Sequence, residues 1–205
     1  MTAKLWNTGG TLRIKFLKGD RVVQKKVRDV ALEWTNYANL QFEFVSKGDA
    51  ELRVDFKPGG SWSYIGTDSL TIPQDLPTIN LGSLSPATND EEVRRVVIPN
   101  FGLALGLVPS QKSPIAEIPW NKKATYSYYA KMGWDRNTVD NNVFAKYHPD
   151  QVQHGPADPH SVMFSSIPKE ITDGKFEIVQ RNELSEGDKQ FIAQLYPQSE
   201  QRRKG

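Results

Sequence analysis

Three histidines are the side chains in this sequence best suited to metal binding or proton transfer near neutral pH. They are His148, His154 and His160, spaced six residues apart. One interpretation is a metal site or a general acid/base that faces a cleft; the other is a set of solvated side chains in a polar loop. A six-residue spacing does not place three side chains on one face of a helix. We expect His160, next to Ser161, to lie nearest a cleft.

An apolar stretch at residues 96–114 reads VVIPNFGLALGLVPSQKSP and contains Pro99. Its periodicity predicts a helix over residues 89–108, with the proline in its interior. Proline removes a backbone hydrogen bond and clashes with the preceding turn, at a cost of about 3 kcal/mol. Because the carbonyl of Arg95 loses its donor, we expect the helix to bend or open locally over residues 95–99.

Trp62 and Tyr64 alternate with Ser61 and Ser63 in a short predicted edge strand, residues 61–66. One interpretation is a strand that faces a ligand and binds an extended chain by β-augmentation. The other is ordinary strand propensity, with one aromatic pair turned toward the core. The residue pattern leaves both open.

Composition narrows the classes of function. The 205 residues carry 26 basic and 24 acidic side chains, a net charge of +2, which gives no electrostatic case for nucleic acid or an anionic membrane. Cysteine is absent, so disulfides, thiol catalysis and cysteine zinc sites are excluded. No segment approaches 18 consecutive apolar residues. We expect a cytoplasmic monomer that binds neither nucleic acid nor membranes.

The remaining pattern alternates strands and helices. Alternating or β-branched runs predict strands at residues 11–17, 40–45, 50–56, 61–66 and 78–81. Helical spacing predicts helices at residues 20–39, 89–108, 121–133, 138–147 and 185–197. Asp20, Asn121 and Ser185 are the expected N-caps, and Asp188 completes a capping box with Ser185. The first half is therefore a sheet crossed by one helix, and the second half is mostly helix and loop.

This order, with GGSWSYIGTD, INLGSL, FGLALGL, YYAKMGW, SVM and LSEGDKQFIAQLYP in sequence, resembles the metzincin clan of zinc endopeptidases, most closely its astacin-like members. The resemblance covers nearly the whole chain. It implies an α+β fold with a mostly parallel, mixed sheet of about five strands, an edge strand over the cleft, two long helices and a Met-turn. It also implies one domain over residues 1–197, with subdomains at about 1–108 and 109–197, before a polar tail at 198–205.

The chemistry of that clan depends on the motif H-E-x-x-H-x-x-G-x-x-H, which supplies three zinc ligands and a glutamate base. Here the motif is replaced by PNFGLALGLVP. The ligand positions hold Pro99, Leu103 and Pro109, the base position holds Asn100, and Gly106 is retained. The Met-turn keeps Met163, but Ser165 stands where astacin-like enzymes often have tyrosine. Without ligands there is no metal-bound water, so the resemblance implies a member that has lost its zinc site and needs no cofactor.

Two classes of function follow. In the first, a non-proteolytic pseudopeptidase keeps the cleft to bind a peptide or another ligand. In the second, the cleft is a metal-independent active site for a small organic substrate, as in a cyclase or pericyclic-type catalyst. Its candidate catalytic residues are Asn100, His160 and Ser165. The residues expected to line the cleft in either case are Trp62, Tyr64, Pro99, Leu103, Pro109 and Met163.

Overall fold

A five-stranded sheet forms the first half of the chain in the computed structural model, which describes residues 4–153, 155 and 158–198. His154 and residues 199–205, most of the expected polar tail, lie outside the described residues. The strands are β1 (Thr11–Phe16), β2 (Gln41–Phe44), β3 (Leu52–Asp55), β4 (Ser61–Ser63) and β5 (Ile79–Leu81). Their order is β2-β1-β3-β5-β4, parallel except for β4, which runs antiparallel to β5. The predicted mostly parallel sheet with a short edge strand is confirmed.

Among the residues that the structure describes, five α-helices accompany the sheet. They are α1 (Arg21–Ala31), α2 (Asp90–Ala104), α3 (Lys122–Ala130), α4 (Arg136–Val139) and α5 (Glu186–Leu195). Shorter 3-10 turns lie at Leu32–Asn36, Gly66–Thr71, Ser110–Lys112, Pro149–Gln151 and Lys169–Ile171. Asp20, Asn89, Asn121 and Ser185 cap α1, α2, α3 and α5 through their side chains, and Asp188 completes the capping box. Among the described residues, no helix has the length and apolar character needed to cross a bilayer.

The helix predicted over residues 138–147 is confirmed only in part. The chain is helical from Arg136 to Phe144, as the four-residue α4 continued by a π-helical segment over Asp140–Phe144, and it ends three residues earlier than predicted. Only Val139 and Val143 are buried there. The intervening Asp140 and the two asparagines have low helix propensity and face solvent, so packing does not extend the helix.

The C-terminal end of α2 is held by both ends of the chain. The indole Nε1 of Trp6 donates to the carbonyl of Ala104 at 2.8 Å, and the hydroxyl of Tyr196 donates to that of Leu105 at 2.6 Å. Tyr196 also accepts from the backbone N–H of Trp6 at 3.1 Å. Burial raises the pKa of Tyr196 to about 12, so this phenol stays protonated as a donor. The end of the helix that borders the cleft is therefore held by hydrogen bonds from Trp6 and Tyr196.

Arg53 holds the loop between β4 and β5 from inside the protein. Its side chain is wholly buried, and its guanidinium donates to five backbone carbonyls. The acceptors are Ala50, Glu51, Ser69, Ile72 and Leu76, at 2.8 to 3.3 Å. Burial lowers the pKa of Arg53, and the planar fork of donors matches several acceptors at once. The loop that carries the chain away from the edge strand is thus fixed to the sheet.

Candidate functional site

A cleft of about 370 Å³ lies between β4, α2 and the Met-turn. Its lining consists of Ser61, Trp62, Ser63, Glu92, Arg95, Val96, Pro99, Asn100, Leu103, Pro109, Val162, Met163, Phe164, Ser165 and Gln180. Seven of the nine residues proposed from the sequence as catalytic or cleft-lining are therefore brought together here. Tyr64 and His160 are not part of this lining. Tyr64 packs edge-on against Trp62, with ring centroids 5.7 Å apart.

The helix α2 runs through Pro99 without interruption. The expected local opening of residues 95–99 therefore does not occur. The carbonyl of Arg95, which would otherwise accept from the N–H of residue 99, instead accepts from the side-chain amide of Gln180 at 3.1 Å. A side chain from the second half of the chain thus satisfies the group that the proline leaves without its helical donor, and the helix persists.

Because Gln180 supplies the donor that Pro99 lacks, we predict that mutations at the two positions have coupled effects on the free energy of unfolding. Gln180→Ala is expected to cost about 1 kcal/mol of unfolding free energy, because the carbonyl of Arg95 loses its donor. In a Pro99→Ala background the restored backbone N–H takes over, so the same change is expected to cost little. A double-mutant cycle by denaturant unfolding measures the difference. An equal cost in both backgrounds would contradict this role of Gln180.

Gly106 turns the chain at the end of α2 and sends Pro109 toward the cleft. Its φ is +96°, and its N–H donates to the carbonyl of Leu103 while the N–H of Leu107 donates to that of Gly102. This pair of bonds is a Schellman motif, which requires a left-handed residue at this position. A side chain at Gly106 would also lie 3.0 Å from the carbonyl oxygen of Lys4. Glycine is needed here for the backbone alone, whatever the cleft contains.

The Met-turn, residues 161–163, is held by the buried carboxylate of Asp188. The carboxylate accepts from the Ser161 hydroxyl at 2.6 Å, the Val162 N–H at 2.9 Å and the Ser185 N–H at 3.1 Å. One carboxylate thus caps α5 and fixes the turn. The carbonyl of Met163 accepts from Ser110, just after Pro109, at 3.0 Å. The Met-turn is therefore hydrogen-bonded to the segment that follows Pro109.

Met163 packs directly onto the backbone of α2. A β-carbon on Gly102 would lie 2.5 Å from the Met163 sulfur and 3.0 Å from the ring of Trp34. Only glycine at this position allows the Met-turn to approach the helix so closely.

The edge strand β4 presents free backbone groups along the cleft. The N–H of Tyr64 donates to Thr78, and that of Gly82 donates to Gly60. In an antiparallel pair, every second residue exchanges backbone hydrogen bonds with the neighbouring strand. The backbone N–H and C=O groups of the even-numbered residue of β4, Trp62, therefore point toward β5. The N–H and C=O groups of Ser61 and Ser63 therefore point outward, and the described residues provide no strand on that side.

The three candidate catalytic residues have separate partners. The amide of Asn100 donates back to the carbonyl of Val96 at 2.8 Å, within its own helix. Ser165 exchanges two hydrogen bonds with the side chain of Gln111, at 3.1 and 3.3 Å. His160 is exposed, and its Nδ1 lies 3.2 Å from the guanidinium of Arg181. The arrangement offers hydrogen bonds to a ligand, but it does not join a nucleophile to a base.

A zinc ion does not fit the side chains at the cleft floor. Pro99, Leu103 and Pro109 carry no donor atom, and Asn100 is an amide that cannot act as a general base near neutral pH. Within the part of the chain that the structure describes, no three His, Cys, Asp or Glu side chains come close enough together to hold a metal. His148 lies in a different loop, with its Nδ1 3.3 Å from the carboxylate of Asp150.

Sequence reasoning missed four polar residues at or beside the cleft. Glu92 and Arg95 form an ion pair of 2.5 Å in its lining. Gln180 supports the helix, and Gln111 holds Ser165. Glu92 lies in the first turn of α2, where an acidic residue is ordinary, so its place in the cleft leaves no distinct signal in the sequence. Nothing in the local pattern indicates the other three, since their partners depend on tertiary packing.

The solved structure of myroilysin superimposes on this chain with a TM-score of 0.94 and 40% sequence identity, over 96% of this chain and 97% of that one. A second structure of myroilysin gives a TM-score of 0.75 and 40% identity, over 96% of this chain and 87% of that one. High choriolytic enzyme 1, a hatching-enzyme zinc-protease from the medaka fish Oryzias latipes, gives 0.64 and 13% identity, over 95% of each chain, and shares the fold.

No protein-family model matches the chain, and a search of curated protein sequences finds no relative. The identity to myroilysin nonetheless extends over almost the full length of both chains. The five-stranded mixed sheet, the edge strand beside the cleft and the order of the helices agree with that likeness. The chain therefore belongs to the family of myroilysin and has the astacin-like metzincin fold.

Proposed function

We propose that this protein is a non-proteolytic, zinc-less pseudopeptidase that uses the cleft to bind an extended peptide. The observation that carries the proposal is that an edge strand with outward-facing backbone groups lies across the cleft from a helix whose side chains at the cleft floor include no metal ligand. Ser61 and Ser63 direct their backbone donors and acceptors along the cleft. The opposite wall holds Pro99 and Leu103 where the peptidases that this chain resembles place histidine.

An extended peptide would add to β4 as a further strand. Its backbone would pair with the N–H and C=O groups of Ser61 and Ser63, which gives affinity without requiring any particular side chain. Trp62 is 41% exposed and borders the cleft, so its ring can cover the bound chain. An edge strand of this kind is otherwise an aggregation hazard, and a bound peptide would remove that hazard.

Peptides selected from a displayed library of random heptapeptides test this proposal. We expect the enriched peptides, synthesised and titrated, to bind the protein and to be recovered uncut in the presence of zinc. Trp62→Ala is expected to weaken binding by about tenfold or more, because aromatic anchors dominate such interfaces. Asn100→Ala should change binding little, since its amide is engaged within α2.

The backbone of β4 allows a sharper variant. Ser63→Pro removes an outward N–H but leaves the bonds to β5 in place, so we expect it to weaken peptide binding by about tenfold. Ser63→Ala is the matched control, since it removes the hydroxyl and keeps the N–H. Equal affinities for the two variants would contradict binding by strand addition. Turnover of a small substrate that falls in Asn100→Ala would instead support a metal-independent enzyme.

A further inference from the structure

We infer that the peptide bound in this cleft carries one bulky apolar side chain, of the leucine, methionine or phenylalanine type, seated on the floor. The floor is formed by Pro99, Leu103, Pro109, Val162, Met163 and Phe164. This inference rests on the proposed function and adds the chemical class of the ligand. The apolar side chain would occupy the space that a metal and its water fill in the peptidases that the chain resembles.

The floor presents only carbon atoms and one thioether sulfur from its side chains. Val162 is wholly buried, and Met163 and Phe164 are 6% and 9% exposed, so these side chains are closely packed against the interior of the protein. The two side-chain amides of the lining, those of Asn100 and Gln180, already donate to the carbonyls of Val96 and Arg95. A polar side chain placed on the floor would lose its water and gain no partner from the six floor side chains, whereas an apolar one would be favoured by burial.

The charged side chains of the lining favour an uncharged ligand side chain on the floor. Glu92 and Arg95 supply the charged side chains of the lining, and they neutralise each other through an ion pair of 2.5 Å. Both lie at least one helical turn before Pro99 along α2. No unpaired charge in the lining is therefore available to hold a lysine or an aspartate above the floor.

The size of the cleft and the geometry of an extended chain limit how many peptide side chains can lie on the floor at once. A cavity of about 370 Å³ is at the lower end of the range for small-ligand pockets, roughly 300 to 1,000 Å³. In an extended chain, successive side chains point to opposite faces, so the two neighbours of a side chain on the floor point away from it. The ligand should therefore show one apolar position whose immediate neighbours have no such requirement.

The heptapeptides enriched from the random library provide the test. We expect their aligned sequences to share one apolar position, and its replacement by glycine or aspartate in the synthetic peptide to weaken binding by about tenfold or more. Because this change is made in the peptide, it leaves the folding of the protein untouched. Peptides that bind equally well with any residue at every position would overturn the inference while the proposed function stands. A library with no enriched peptide would overturn both.

A charge swap on the protein localises the anchor. Leu103→Asp is expected to weaken the apolar peptide by about tenfold or more and to strengthen the same peptide with lysine at the anchor position. Leu70→Asp is the matched control, because Leu70 is exposed and lies outside the cleft lining. Unchanged affinity of Leu103→Asp for both peptides would place the anchor elsewhere and overturn the inference.

Discussion

Replacing Arg53 by leucine is expected to lower the free energy of unfolding by about 4 kcal/mol or more, since five buried or partly buried carbonyls lose a charged donor and each carbonyl left without any donor costs about 1 to 3 kcal/mol. The expected fall in the melting midpoint is about 10 °C for a chain of this size. Because three of these carbonyls, those of Ser69, Ile72 and Leu76, lie in the loop between β4 and β5, peptide binding at β4 should be lost as well. Calorimetry and peptide titration measure the two effects.

A neighbouring arginine provides the control for this change. Arg13 lies on the adjacent strand β1 and pairs with Glu51 at the surface, where water screens the interaction. Arg13→Leu should leave the melting midpoint nearly unchanged. Arg53→Lys is expected to fall between the two, since a lysine keeps the charge but cannot reach all five acceptors. A melting midpoint for Arg53→Leu equal to that of Arg13→Leu would show that the buried guanidinium does not hold the loop.

Replacing Asp188 by alanine is expected to lower the free energy of unfolding by about 3 to 5 kcal/mol, because two buried donors and one partly buried donor lose their acceptor at once. Two of these donors, the Ser161 hydroxyl and the Val162 N–H, belong to the Met-turn. The third is the N–H of Ser185, so the cap of α5 is weakened by the same change. The floor of the cleft should loosen and peptide affinity should fall, as measured by denaturant unfolding and by titration.

Glu186 is the matched control for Asp188. It is an acidic residue in the same first turn of α5, but its side chain is exposed and pairs with Lys189 at the surface. Glu186→Ala should therefore change stability and peptide affinity little. If Asp188→Ala unfolds at the same denaturant concentration as Glu186→Ala, the carboxylate is not the anchor of the Met-turn.

The parts of the fold that could be predicted from the sequence depend on local chemistry. Asp20, Asn121 and Ser185 cap helices because a short polar side chain can accept from the backbone two or three residues later, whatever the rest of the chain does. Strand alternation likewise located the sheet and its edge strand, Ser61–Ser63. Gly106 was identified through the family motif, and its positive φ gives the physical reason.

The predicted helix over residues 138–147 shows where local pattern is insufficient. Val139 and Val143 have helical spacing, but the polar residues between them are neutral or unfavourable in a helix. The continuity of α2 shows the opposite error. Pro99 predicts a bend or a local opening; the opening does not occur, and a side chain 85 residues away donates to the carbonyl of Arg95 in place of the missing N–H.

Most features of the site that could not be predicted depend on hydrogen bonds between residues far apart in the sequence. The carboxylate of Asp188 binds groups 26 and 27 residues earlier, and Arg53 reaches carbonyls up to 23 residues later. Neither pairing leaves a periodic signal in the sequence. The position of His160 is of the same kind, because its neighbour Arg181 comes from a segment with no regular structure.

The zinc content of the purified protein is the most direct test of the central claim, that the family scaffold is kept while its metal site is absent. The protein would be equilibrated with a small excess of zinc, freed of unbound metal by gel filtration and submitted to elemental analysis. A variant with Pro99→His, Leu103→His and Pro109→His serves as the positive control for ligand geometry. We expect the natural sequence to retain far less than stoichiometric zinc. Stoichiometric zinc that is lost on substituting residues of α2 would contradict the account.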